Sequence, residues 1–264
     1  MLGKLADHTV YDNDFVSLAL KPGAKSPVII TMPHAGPYDD SDLAGQFRKR
    51  NNGLHGQERF LWPVVRDIIL ARAPVTVVRG MLPRGYLDYN RALEGNPSNL
   101  RGEPVGLEKA LEDEALVRFY NAYHDQVEHW FRDLKRQRGH ENSLLLDVHG
   151  FKKQPDYQPH LQAEDYDLIL GTDNRKTVHT DVDRRLARFM TDRDYRVFLP
   201  GTEPVVPGKP DWRSGQYTVK HYAKLFGVDA VQLEVASHFR VRSATERGQK
   251  LSRDLAEFLT TSFS

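Results

Sequence analysis

A three-layer α/β/α sandwich with a mostly parallel or mixed central sheet is the fold this 264-residue sequence predicts, and three observations carry that expectation. Short apolar runs, β-branched or Leu-rich and bounded by Gly or Pro, recur along the chain. Segments with apolar residues at three- and four-residue spacing lie between them. The two kinds alternate, which is the order in which helices come to cover both faces of one sheet.

Taken in order, Val28 to Met32 opens the series as a buried strand, and Gln57 to Arg72 follows as a helix whose Pro63 stands in the opening turns, where proline is tolerated. Val75 to Val78 is the next strand. The clearest helix then places Leu116, Phe119, Tyr120, Tyr123, Val127, Trp130, Phe131 and Leu134 on one stripe that must cover the sheet. Its basic end, Lys135 to Arg138, suits the helix dipole and needs no partner. Strands at Leu144 to Val148, Asp167 to Leu170, Arg196 to Leu199 and Ala230 to Val235 alternate with helices at Asp181 to Thr191, Thr218 to Phe226 and Glu246 to Thr261. Two segments read as loops, Leu93 to Val105 and Phe151 to Tyr166.

A hydrophobic share of 39% and a charged share of 28% fit a packed soluble core. The length is near the upper size for one core and no linker divides it, so residues 1–264 are expected to form one domain. With 37 Lys+Arg against 36 Asp+Glu the net charge is +1, too small a field to draw the chain to nucleic acid. No apolar run reaches signal-peptide or bilayer length, so neither export nor a membrane is expected and the cytoplasm is the default location. The chain has no cysteine, so a bound metal would be held by nitrogen and oxygen.

The candidate chemistry starts with two histidines that end apolar runs, His34 after Pro27 to Pro33 and His149 after Leu144 to Val148, each followed within two residues by glycine. Carboxyl ends of neighbouring strands converge on one rim, so imidazoles placed there can meet across a crevice and share a metal ion. Lone histidines after strands also serve as turn caps, and that reading stays open. An acid is needed beside them, and Asp39, Asp40 and Glu58 are all placed to supply it.

In Arg84-Gly85-Tyr86-Leu87-Asp88-Tyr89-Asn90-Arg91 two guanidinium groups flank an acid and an amide. The segment suits a substrate carboxylate or, equally, an Asp88-to-Arg salt bridge that ties down a loop. Glu234 stands inside the apolar run Ala230 to Val235. Burial would fit it for proton transfer, whereas alternation with Gln232 allows an edge strand with one wet face.

Read together, Met32-Pro33-His34-Ala35-Gly36, Glu58-Arg59-Phe60, Arg84 with Leu87-Asp88-Tyr89-Asn90-Arg91, Leu146-Asp147-Val148-His149-Gly150 and Val231-Gln232-Leu233-Glu234 resemble, in order and spacing, the N-formylglutamate amidohydrolase family. Tyr120-Asn121-Ala122-Tyr123-His124, Asp167 to Gly171, and Gly215-Gln216-Tyr217-Thr218 with His221-Tyr222 extend the similarity from about Val28 to Arg240. That family is related in fold to zinc carboxypeptidases and aspartoacylase.

The resemblance implies one zinc ion held by His34, Glu58 and His149, a substrate carboxylate held by Asn90 and Arg91, Arg84 polarising the scissile carbonyl, and Glu234 activating water. It also places His124 and Tyr217 among the substrate-binding positions. The implied reaction is metal-dependent hydrolysis of an N-acyl amino acid such as N-formylglutamate. The alternatives are a carboxypeptidase-like or other N-acyl-amino-acid hydrolase on the same zinc site, or a non-catalytic carboxylate-binding protein of the same fold. Two positions depart from the family pattern: Glu58 stands where Asp is more common, and Gly150 where Ser commonly follows the second His.

Overall fold

The computed structural model of the chain describes residues 2–5, 8–20, 26–38, 46, 60–93, 113–138, 142–151, 166–199, 215–240 and 246–263. Within them nine strands form one sheet: β1 (Leu2–Leu5), β2 (His8–Asp12), β3 (Val16–Leu20), β4 (Val28–Met32), β5 (Val75–Gly80), β6 (Leu144–Phe151), β7 (Leu168–Gly171), β8 (Val197–Phe198) and β9 (Asp229–Ala236). Five α-helices accompany them: α1 (Trp62–Leu70), α2 (Glu114–Arg138), α3 (Val182–Thr191), α4 (Tyr217–Phe226) and α5 (Glu246–Phe263). The strand order is β1-β2-β3-β5-β4-β6-β9-β7-β8.

The middle of this sheet, β5-β4-β6-β9, is parallel, and its strands are buried on both faces. Such strands read as continuous apolar runs, which is why each of the four was legible as a strand. Period-two alternation splits their side chains between two cores. Val28, Ile30, Met32, Val75, Val77, Leu144, Leu146, Val231 and Leu233 belong to the core that includes α1, α3 and α5. Ile29, Val78, Leu145 and Ala230 belong to the opposite core, with the α2 stripe and α4. Every member of that stripe is buried except Trp130, which is partly so.

Three differences from the sequence reading have physical causes. The amino-terminal meander β1-β2-β3 is antiparallel and pairs to β5 through β3. In β2 burial falls from His8 to an exposed Asp12, so it lacks the continuous apolar run by which a doubly covered strand announces itself. His149 lies inside β6 rather than past its end, because parallel pairing to β9 keeps the chain extended through Phe151. Finally, β9 is an interior strand between β6 and β7, buried at all eight positions, so Glu234 is not on an edge with a wet face.

Pro63 does occupy the first turn of α1, while the expected helix start at Gln57 and nearly all of both expected loops lie outside the described residues. Helix α4 ends at Gly227, whose φ of 67° is the left-handed conformation that closes a helix without a Cβ penalty. No helix among the described residues is long and apolar enough to cross a membrane.

Candidate active site

On the α2/α4 face of the parallel strands the residues change character toward the carboxyl ends. Ile29 gives way to Thr31, Leu145 to Asp147 and His149, and Ala230 to Gln232 and Glu234. Register aligns them across three strands: Thr31 opposite Asp147, Asp147 opposite Gln232, and His149 opposite Glu234. All five are buried. Polar groups removed from water in such number must satisfy one another, and here they do so as a network.

His34, in the turn after β4, brings its Nε2 to 2.8 Å from Asp88 Oδ1. The same oxygen accepts the Asn90 backbone N–H at 2.9 Å, and Asp88 Oδ2 accepts from Arg84 Nε at 3.0 Å. Burial alone would raise the Asp88 pKa, but the charges of Arg84, His34 and Arg91, with the His34 hydrogen bond, together hold it well below the usual carboxylate range. The Arg84-to-Asp88 pair is therefore real, and it also positions an imidazole.

His149 has a carboxylate of its own, with Nε2 at 2.9 Å from Asp147 Oδ2. The other oxygen, Oδ1, accepts from the Thr31 hydroxyl at 2.7 Å. Tyr123, on α2, lies near enough that burial first and the Asp147 charge second push its pKa well above the ordinary value. The two rings approach edge to face, centroids 4.7 Å apart at 75°. In His34 the proton shared with Asp88 sits on Nε2, which leaves Nδ1 as the lone-pair nitrogen, whereas His149 Nε2 lies between the Asp147 carboxylate and the side-chain amide of Asn90.

Asn90 joins the loop after β5 to three other elements. Its Oδ1 accepts both the backbone N–H and the hydroxyl of Thr218, each at 2.8 Å, which places Nδ2 toward His149 Nε2 at 3.1 Å and Gln232 Oε1 at 3.5 Å. Gln232 Oε1 also accepts the Gln216 N–H at 2.9 Å, and Gln232 Nε2 donates to Glu234 Oε1 at 2.9 Å.

Arg91 donates to the Asn90 carbonyl at 2.7 Å; burial lowers its pKa, with Asp88 pulling it back and Arg84 adding to the fall. His124 donates through Nε2 to the Tyr89 carbonyl at 3.0 Å and accepts the Tyr222 hydroxyl on Nδ1 at 2.6 Å. Burial depresses its pKa to about 3, so it is a neutral strut under Tyr89 and Asn90. Tyr217 stacks on His221 with ring centroids 4.9 Å apart, and lies 5.9 Å from His124.

The fold thus gathers His34, His149, Arg84, Asn90, Arg91, His124, Tyr217 and Glu234 into one region. Glu58, Asp39 and Asp40 lie outside the described residues, and among those described no group of three or more acids and histidines is arranged to hold a metal. What the described residues offer a metal is two carboxylate-backed imidazoles, a chemical fit to the nitrogen part of a zinc donor set.

Asp147, Gln232, Thr31 and Thr218 had been given no role on sequence. The signal was present for two of them, since Asp147 and Gln232 each stand two residues before a named site residue and so share its face. At Gly150 any Cβ would overlap the guanidinium of Arg240, which donates to the Val235 and Phe151 carbonyls. A packing reason for glycine where the family commonly has Ser is thereby on hand.

Comparison with known proteins bears on what this region does. A family model described as N-formylglutamate amidohydrolase matches residues 26–239. Among solved structures, an N-formylglutamate amidohydrolase from Ralstonia eutropha JMP134 is 18% identical, with a TM-score of 0.64 over 93% of this chain and 96% of that one. A gene product of Agrobacterium tumefaciens is 17% identical, with a TM-score of 0.58 over 95% of each chain. At these identities the likeness to solved structures shows the fold. No curated protein matches the sequence.

Proposed function

Because the chain belongs to the N-formylglutamate amidohydrolase family, we propose that it hydrolyses the amide bond of an N-acyl amino acid, N-formylglutamate or a near relative, with one zinc ion. The observation that carries this reading is the pair of imidazoles, 4.7 Å apart, each with its own carboxylate, one in the turn after β4 and one on β6 in register with Glu234.

His34 and His149 would hold the metal, with Glu58 as the acid. Zinc bound there would supply Lewis acidity and a water of lowered pKa. Glu234 takes the proton of the attacking water and returns it to the leaving amine. Arg84, tied to Asp88, stabilises the oxygen charge that develops on the scissile carbonyl. Arg91 holds the substrate carboxylate, and Asn90, whose side-chain oxygen is taken by Thr218, fixes the loop that carries Arg91. Binding the carboxylate away from the scissile bond turns remote contact into orientation. Tyr217, half-buried beside His221, forms a wall for the substrate.

The test is hydrolysis of a panel of N-acyl amino acids, N-formyl-L-glutamate first, by zinc-loaded wild type and Glu234→Gln. Turnover by the wild type and its loss in a variant that still binds zinc are the expected results. Wild-type turnover in Glu234→Gln, or tight carboxylate binding with no hydrolysis of any panel member, counts against the reading.

A further inference from the structure

We propose that Gln232 is the positioning residue for Glu234, and that the backbone at the start of α4 sets the direction in which it acts. The proposal rests on the reading of Glu234 as the proton carrier.

An amide side chain can face either way round, so its direction must be read from partners that cannot be reversed. The Gln216 backbone N–H can only donate, and it points at the Gln232 side chain at 2.9 Å; the atom there is the oxygen. The nitrogen is then turned the opposite way, and it lies 2.9 Å from Glu234 Oε1. The second fixed donor is the Thr218 N–H, which assigns the Asn90 oxygen by the same reasoning and leaves Asn90 Nδ2 as a further donor toward Gln232 Oε1 at 3.5 Å. Two backbone amides at the head of one helix therefore polarise a chain of side-chain amides that ends on Glu234.

The setting leaves little slack. Gln232 is 2% exposed in an interior strand, between Asp147 of β6 and Gly171 of β7 in register, and shares a face with Glu234 two residues on. A donor at Glu234 Oε1 fixes where that oxygen sits and so restrains the rotamer of the carboxylate. A hydrogen bond to a charged group is also stronger than one between neutral partners. Placing the carboxylate is worth rate rather than affinity, because misplacement by about 1 Å of a group that moves a proton can reduce turnover by about a hundredfold without touching the substrate carboxylate contact.

The experiment uses the zinc-loaded full chain and Gln232→Met, which keeps volume and chain length but cannot donate, alongside Gln232→Asn, which keeps the amide but falls short. On the N-acyl amino acid that the wild type hydrolyses fastest, Gln232→Met is expected to lose at least about tenfold in kcat with KM changed less than about threefold and with zinc content unchanged. Gln232→Asn is expected to fall between. A purely structural glutamine would shift melting temperature and KM along with kcat, or shift nothing, and either pattern overturns the proposal. Should Gln232→Met not fold, Gln232→Asn carries the same kcat-against-KM test.

A crystal structure of either variant gives an activity-independent readout. Glu234 is expected to leave its rotamer, and an unmoved carboxylate overturns the proposal. Failure here leaves Glu234→Gln inactive and the wild type active, whereas failure of the functional reading shows as an active Glu234→Gln or a wild type that hydrolyses no panel member.

Discussion

His34 and His149 face each other across 4.7 Å, yet the carboxylates behind them sit in opposite electrostatic company. Asp88 is met by His34 and by the guanidinium groups of Arg84 and Arg91, and together these outweigh the cost of burying it. Asp147, no more exposed, is met by His149 and the neutral hydroxyl of Thr31, with the Tyr123 ring close by. A carboxylate surrounded by cations stabilises the fold and polarises its imidazole weakly. One met by a single histidine and a hydroxyl has no arginine to share its hydrogen-bonding strength, and more of it goes to that histidine.

That contrast can be broken in the order of the effects expected. Asp88→Asn should give the largest change in stability, about 2–3 kcal/mol lost in urea unfolding, because it removes the carboxylate charge that both Arg84 and Arg91 face. Asp147→Asn should leave the metal-free protein as stable as wild type or more so, and lower zinc affinity by about 10–100-fold in chelator competition. If both substitutions behave alike in both assays, the contrast is empty.

His124 sharpens the comparison, as a third imidazole in the region, held by the Tyr89 carbonyl and the Tyr222 hydroxyl. Its folded pKa of about 3 lies below the unfolded value near 6.5, so at intermediate pH the unfolded chain binds the extra proton. Its contribution to stability is complete above pH 6.5 and is lost as pH falls toward 3, at up to about 1.4 kcal/mol per pH unit. Unfolding measured at pH 7 and pH 5 should differ by less in His124→Asn than in wild type; equal differences would remove His124 as a neutral strut. Arg91→Ala should have the smallest effect on the fold and act on KM with kcat nearly kept, and an unchanged KM would deny it the substrate carboxylate.

Much of this architecture was legible in the sequence because doubly covered strands are apolar on both faces. Val28, Ile29 and Ile30 pack into two cores at once, so the run is unbroken and unmistakable. In β2 a tail of partly and fully exposed residues hid the strand from the same test. The site was legible where a polar residue interrupts an apolar run, as His149 and Glu234 do, and Asp147 and Gln232 carried the same mark.

Hydrogen-bond direction was beyond the sequence. Nothing in the order of residues says that the Gln216 and Thr218 amides, far along the chain from Asn90, decide which way Asn90 and Gln232 point. The pairing of Asp88 with His34 likewise depends on a loop that bends Arg84 and Asp88 back over the turn after β4, a long-range contact between positions 54 residues apart.

The central claim is that His34 and His149 are donors to one metal ion, and zinc content tests it most directly. Wild type and His149→Ala, purified alike and measured by elemental mass spectrometry, should carry close to one zinc per chain and close to none. Equal zinc in the two proteins, or none in the wild type after loading, would contradict the account.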